Sequence, residues 1–241
     1  MTSRLAALAL VCAACGPAVS PVASPGAATA GASPASTVVP PPREESARAS
    51  TVRFDDLGIA FTVPPGYRVL GDEELAARIA STADVRLQRS LRERASQKQG
   101  LPLLSLERPN GDANDFLTVS LSVVLVPRDA KASELIALQQ AQMSEHLAGF
   151  KVEQAPRPAA AKGVVGVDGS ELVAQYLVKR GGEARRASSL FRVFVQNGLA
   201  TLAVAVWPEG AAVREEEGRL LLDGLSFYDA KSAPAGSQPS R

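Results

Sequence analysis

The sequence predicts an α+β fold built on an antiparallel sheet with both faces covered, and three observations carry that expectation. Ser189 to Gln196 and Leu199 to Val206 are β-rich runs flanking Asn197-Gly198. Asn-Gly is the dipeptide best able to take positive φ at both centres of a type I′ turn, so the two runs pair as a hairpin. Upstream, Leu172 to Val178 joins the first run through Lys179-Arg180-Gly181-Gly182, where paired glycines supply the turn, and Leu172 to Val206 becomes a three-strand meander. The run from Leu199 is apolar on both faces, and such a strand needs a layer on each side, helices or otherwise.

In chain order, Val52 and Phe54, then Ile59, Phe61 and Val63, alternate with polar or small residues and stop at Pro64-Pro65-Gly66-Tyr67, which predicts short strands ending in a turn. Asp72 is an N-cap for a helix with Glu73 and Glu74 in its first turn. At helical spacing Leu75, Ile79, Ala83, Leu87 and Leu91 share one side, and Arg78, Arg89 and Arg92 form a solvated stripe on the other. Leu103 to Glu107 and Phe116 to Val126 are strands joined by the turn cluster Pro109-Asn110-Gly111-Asp112. Ser133 caps a helix that runs to about Ala148 and closes at Gly149, with Ala132, Ile136, Gln139, Met143, Leu147 and Phe150 facing inward. Lys151 to Ala155 is a further strand, and Pro156 to Ala161 a surface loop. After the meander, Ala211 to Asp223 is a closing helix with Val213, Leu220 and Leu221 on one face, and Leu225 and Phe227 dock its end.

Charge excludes one class of partner. The chain of 241 residues holds 26 Lys and Arg against 25 Asp and Glu, with 5% aromatic residues. That balance gives neither a phosphate-tracking groove nor a stacking platform, so no nucleic-acid partner is expected.

The leader is more specific. Met1 to Arg4 is a short positive start, Leu5 to Val11 an apolar core too short to span a bilayer, and Ala13-Ala14 the small residues a signal peptidase accepts. Cys12-Ala13-Ala14-Cys15-Gly16 resembles a bacterial lipobox in which Cys15 is lipidated and becomes the mature N-terminus, with Cys12 standing where leucine is usual. An ordinary secretory signal is the alternative, and lipidation at Cys12 a weaker one. The resemblance implies a membrane anchor, and Gly16 after the cysteine implies outer-membrane sorting, facing the periplasm or the cell surface. Both cysteines lie in the leader, so the mature domain has no disulfide. Pro, Ala, Ser, Gly and Thr dominate from Pro17 to about Ser50, a composition that cannot bury enough surface to order itself. The expected organisation is therefore a signal peptide over 1–14, a lipidated cysteine and tether over 15–50, a folded domain over 51–228 and a disordered tail over 229–241.

The element order and the phrase Gly58-Ile59-Ala60-Phe61-Thr62-Val63-Pro64-Pro65-Gly66-Tyr67 resemble the fold shared by the PsbP proteins of photosystem II, the Ran-binding Mog proteins and bacterial DcrB-type lipoproteins. In that group an apolar strand runs into Pro-x-Gly and an aromatic. The resemblance covers about Thr51 to Tyr228. It implies an antiparallel sheet with helices on both faces, an α-β-α sandwich, and a non-enzymatic binding or assembly role.

No catalytic set is legible. The chain lacks Gly-x-Ser-x-Gly, a Walker pattern and Gly-x-Gly-x-x-Gly at a helix start. Gly166-Val167-Asp168-Gly169-Ser170 reads as a turn before the meander, and Glu215-Glu216-Glu217 as a solvated helix face. His146 is the sole histidine and cannot build a histidine-rich metal site, so neither metal nor cofactor is expected. The sharpest charge cluster is the hairpin tip of Lys179, Arg180, Arg185 and Arg186. It reads as protection of a sheet edge, or alternatively as a contact with anions or lipid head groups. The expected function is an anchored envelope lipoprotein that binds an envelope protein without chemistry. A chaperone or carrier of apolar segments or lipids is the alternative, and a hydrolase using Asp168, Ser170 or His146 a further one.

Overall fold

The computed structural model describes residues 49–70, 103–108, 115–180 and 183–229, with the side chains of 179 and 180 outside that description. The expectations for the leader, the tether, the Asp72 helix, the Pro109 to Asp112 turn, the Gly181-Gly182 turn and the tail lie outside these residues. The elements in order are β1 (Ser50–Phe54), β2 (Ile59–Val63), β3 (Arg68–Val69), β4 (Leu104–Glu107), β5 (Thr118–Leu125), α1 (Ala132–His146), β6 (Lys151–Pro158) and β7 (Lys162–Gly163). The meander β8 (Asp168–Arg180), β9 (Glu183–Gln196) and β10 (Leu199–Pro208) follows, then α2 (Ala212–Leu222) and β11 (Leu225–Phe227).

Seven strands form one sheet in the order β3-β4-β5-β10-β9-β8-β6, and every pairing in it is antiparallel. The β9–β10 turn is the hairpin the dipeptide demands. Asn197 takes φ 52° and Gly198 φ 79°, and Leu199 stands opposite Gln196. As its two-faced apolar pattern requires, β10 is buried on both sides: Leu202, Val204 and Val206 enter one core while Ala203, Ala205 and Trp207 enter the other. The meander starts earlier than its hydrophobic run. Asp168, Gly169 and Ser170 belong to β8 and not to a preceding turn, because they pair with Val195, Phe194 and Val193 of β9.

The first core lies between the sheet and α1. Leu135, Ile136 and Met143 pack with Tyr176, Phe191 and Val193, while Leu147 and Phe150 are partly buried beside them. Ser133 is not the N-cap. Lys131 occupies that position without a side-chain bond, and the free backbone N–H of Ala132 donates instead to Asp168 Oδ2 at 2.7 Å. A carboxylate from β8 thus caps a helix far from it in sequence.

The second core lies on the other face and involves a layer the sequence reading did not resolve. Four short strands form a second sheet, β1-β2-β11-β7, in which β11 and β7 run parallel. Ile59, Phe61, Leu225 and Phe227 from this sheet, with Leu221 and Leu222 from α2, meet Leu190, Phe194 and Trp207 of the large sheet. Each fully buried side chain of this size contributes about 1.5–3 kcal/mol relative to exposure. Gly218 lets α2 approach closely, since a Cβ there would meet Ala205 Cβ at 3.2 Å. That contact turns the helix so that Leu221 and Leu222 face in, whereas Val213 and Leu220, expected on the buried face, are 72% and 65% exposed. Leu225 and Phe227 do more than dock the helix end: they pair with β2 as a strand.

At the outer edge of the large sheet, β6 continues through Pro156 to Pro158, where a loop was expected. Its pairing to β8 shifts register twice. Proline lacks the ladder donor and is tolerated on an edge, where one side of the strand needs no partner.

Candidate functional site

Where β9 turns into β10, the two sheets part and leave an open concavity of about 860 Å³. The large sheet supplies one wall through Gln196, Leu199 and Thr201, and the second sheet supplies the other through Ile59 and Phe227. The mouth is finished by Asp56 and Leu57 of the 3-10 turn Asp55–Leu57, by Arg128, by Val164 to Gly166, and by Tyr228 with Asp229 after β11.

Local geometry fixes each of these groups. The Val126 N–H donates to the Gly198 carbonyl at 2.9 Å, and a Cβ on Gly198 would lie 3.5 Å from Arg128 Cγ, so the arginine stem packs on the type I′ turn. Opposite, Tyr228 Oη donates to Asp55 Oδ1 at 2.6 Å, Arg53 Nε donates to the same oxygen at 3.1 Å, and the Arg53 guanidinium sits 4.5 Å from the Tyr228 ring centre. The tyrosine hydrogen bond, then that of Arg53, holds the Asp55 carboxyl below its ordinary range, while burial first and Asp55 second push the Tyr228 hydroxyl up. The loop from Val164 to Gly166 is strapped down by β7. Gly163 takes φ 105°, and a Cβ on it would come within 1.9 Å of the Phe227 carbonyl oxygen, so only glycine permits the parallel pairing with β11.

Three features of the lining bear on what could occupy it. Arg128 and Asp56 form no ion pair among the described residues. Thr201, only 2% exposed, places a polar side chain on the wall of the large sheet. Val165, by contrast, is 98% exposed at the mouth.

Of the residues considered for chemistry, Asp168 and Ser170 share one face of β8 and His146 lies at the far end of α1. Asp168 caps α1, Ser170 Oγ donates to the Arg157 carbonyl at 3.2 Å, and His146 is exposed in the last turn of α1. Among the described residues no group of three His, Cys, Asp or Glu side chains lies together as a metal site. Cys15 lies outside the described residues. At the hairpin tip, Lys179 and Arg180 end β8, and Arg185 and Arg186 stand opposite Val178 and Leu177. Successive strand residues leave on opposite faces, so Arg185 and Arg186 do not form one patch. Arg185 is moreover paired with Glu183 at 2.8 Å.

Two charged networks lie elsewhere on the domain. Glu171 is buried on β8 between Arg157 of β6 at 2.7 Å and Arg192 of β9 at 2.9 Å, and Arg192 continues to Asp223 at 2.6 Å. Burial alone would raise the Glu171 carboxyl, but the two guanidinium groups outweigh it and hold it below its ordinary range. On α2, Arg214 binds Asp115 through two nitrogens at 2.5 and 2.6 Å and Glu217 through a third bond, and Tyr67 Oη also donates to Glu217.

The sequence reading missed the cleft residues. Asp56, Arg128, Val165 and Thr201 come from four separated stretches, and only the Asn197-Gly198 turn beside them was a legible signal.

No protein-family model matches the chain, and no curated protein sequence matches it. Solved structures do. Cyanobacterial PsbP (CyanoP) from Synechocystis sp. PCC 6803 is 10% identical at a TM-score of 0.47, over 79% of this chain and 99% of that one. LpqN of Mycobacterium tuberculosis, described as involved in cell envelope biogenesis, is 14% identical at 0.46, over 76% and 91%. The Saccharomyces cerevisiae Ran-binding protein Mog1p is 8% identical at 0.42, over 76% and 97%. Scores and identities this low establish no family, and the functional reading rests on the chain's own residues.

Proposed function

We propose that this chain is a lipid-anchored envelope module that binds another protein through the cleft between its two sheets and performs no chemistry. The observation that carries the reading is the cleft itself. It combines an exposed apolar side chain, two charges without ion partners among the described residues and polar side chains on the sheet wall, and such groups gain most from an occupant. The anchor is supported by the leader ending in Cys15, and the outer membrane by Gly16. Exposed Val165 and Leu125, at 98% and 85%, favour a second reading, a carrier of apolar segments or lipids.

Cys15→Ser is expected to move the protein from the membrane pellet to the soluble fraction without changing its thermal midpoint. Retention in the pellet would show that Cys15 is not the anchor. For binding, a photo-crosslinking amino acid placed at Val165 in living cells is expected to give a discrete adduct, while the same group at exposed Glu145, on the α1 face, gives none. Equal labelling at both positions would remove the cleft as the binding site.

A further inference from the structure

Building on that binding reading, we propose that the cleft takes a peptide segment of its partner in which an apolar side chain is flanked by an acidic group facing Arg128 and a basic group facing Asp56. Arg128 and Asp56 line the same cleft, where Asp229 is a second carboxylate with an interaction of its own, and neither Arg128 nor Asp56 has an ion partner among the described residues. An occupant with only one sign of charge would satisfy one and be repelled by the other. Val165, 98% exposed between Gly163 and Gly166, offers apolar surface at the mouth. An acyl chain would suit Val165 but would leave Arg128 and Asp56 without ion partners and the side-chain amides of Gln196 and Asn197 facing hydrocarbon. A peptide main chain supplies a donor and an acceptor at every residue, which matches Thr201 and the side-chain amides of Gln196 and Asn197 on the same wall.

The test uses the full chain in its own cells, with the photo-crosslinker at Val165, combined with Arg128→Glu, Asp56→Lys, or both. Circular dichroism and the thermal midpoint verify that each variant folds, as exposed positions should allow. The expected adduct is destroyed by protease and falls about fivefold or more in each single reversal, a change of about 1 kcal/mol. With purified protein, the probe peptide acetyl-Glu-Leu-Lys-amide is expected to shift the backbone amide resonances of Gln196 to Thr201. Acetyl-Gln-Leu-Gln-amide should do so less, and Arg128→Glu should abolish the difference. A protease-sensitive adduct indifferent to both reversals overturns the charge pairing and leaves the binding reading intact. A protease-resistant adduct carrying lipid overturns the peptide occupant in favour of the carrier reading. Absence of any adduct at Val165 overturns this inference and the cleft-binding reading together.

Discussion

Gln139 is fully buried on α1, and neither its amide nitrogen nor its amide oxygen has a hydrogen-bond partner among the described residues. A desolvated polar group left unpaired costs about 1–3 kcal/mol, whereas an apolar side chain of the same shape is neutral or better. Gln139→Met is therefore expected to raise stability by about 1–3 kcal/mol in urea denaturation, and a lower midpoint would mean that the amide is satisfied after all. Glu171 is the opposite case, a buried carboxylate fully engaged by Arg157 and Arg192. Its replacement by alanine is expected to cost about 3 kcal/mol. The lower end of the usual range applies because the Arg157 side chain is 54% exposed and Arg192 keeps Asp223. The sign of the pH dependence follows from the lowered carboxyl: its contribution is complete above the ordinary carboxylate range and is lost as pH falls through the depressed value in the folded state. Glu171→Gln should accordingly lose stability less steeply than the parent below about pH 5, and parallel curves would refute the assignment.

Among the elements, the β9–β10 hairpin was the most legible because one dipeptide specifies its turn and alternation specifies its strands. Valine at both turn positions would have to adopt the φ of 52° and 79° that Asn197 and Gly198 now take. Asn197→Val with Gly198→Val is expected to destabilise by about 2–6 kcal/mol, read from the thermal or urea midpoint. The helix ends were less legible for a definite reason. Ser133 carries the right side chain for a cap, but Asp168 arrives from β8 and bonds the Ala132 N–H first. Likewise Val213 and Leu220 share a helical face with each other, while the face that packs is set by Gly218 against Ala205 and Trp207. The two-residue strands β3 and β7 have no periodicity to detect. They exist only because tertiary contacts place a partner beside them.

At the scale of the whole molecule, two cores share β10, so neither layer can detach without exposing the other's strand. Trp207 reports one core at 1% exposure and Tyr176 the other, also at 1%. Tryptophan fluorescence and far-ultraviolet circular dichroism are expected to give coincident unfolding curves, and separated midpoints would show that the second sheet melts independently. The cleft belongs to this scale as well. Nothing near Asp56 or Arg128 in sequence reveals that strands from two sheets bring them to one mouth, which is why the candidate site was invisible where the hairpin beside it was plain. The long edge strand β6 has a different import. With Pro156 and Pro158 lacking donors, and two register shifts along its length, it offers a neighbouring copy no continuous ladder to extend. The opposite edge, β3, is only two residues long. Crowded copies would thus meet without zipping through the large sheet, so resistance to that mode of association at high surface density is already written into its two borders.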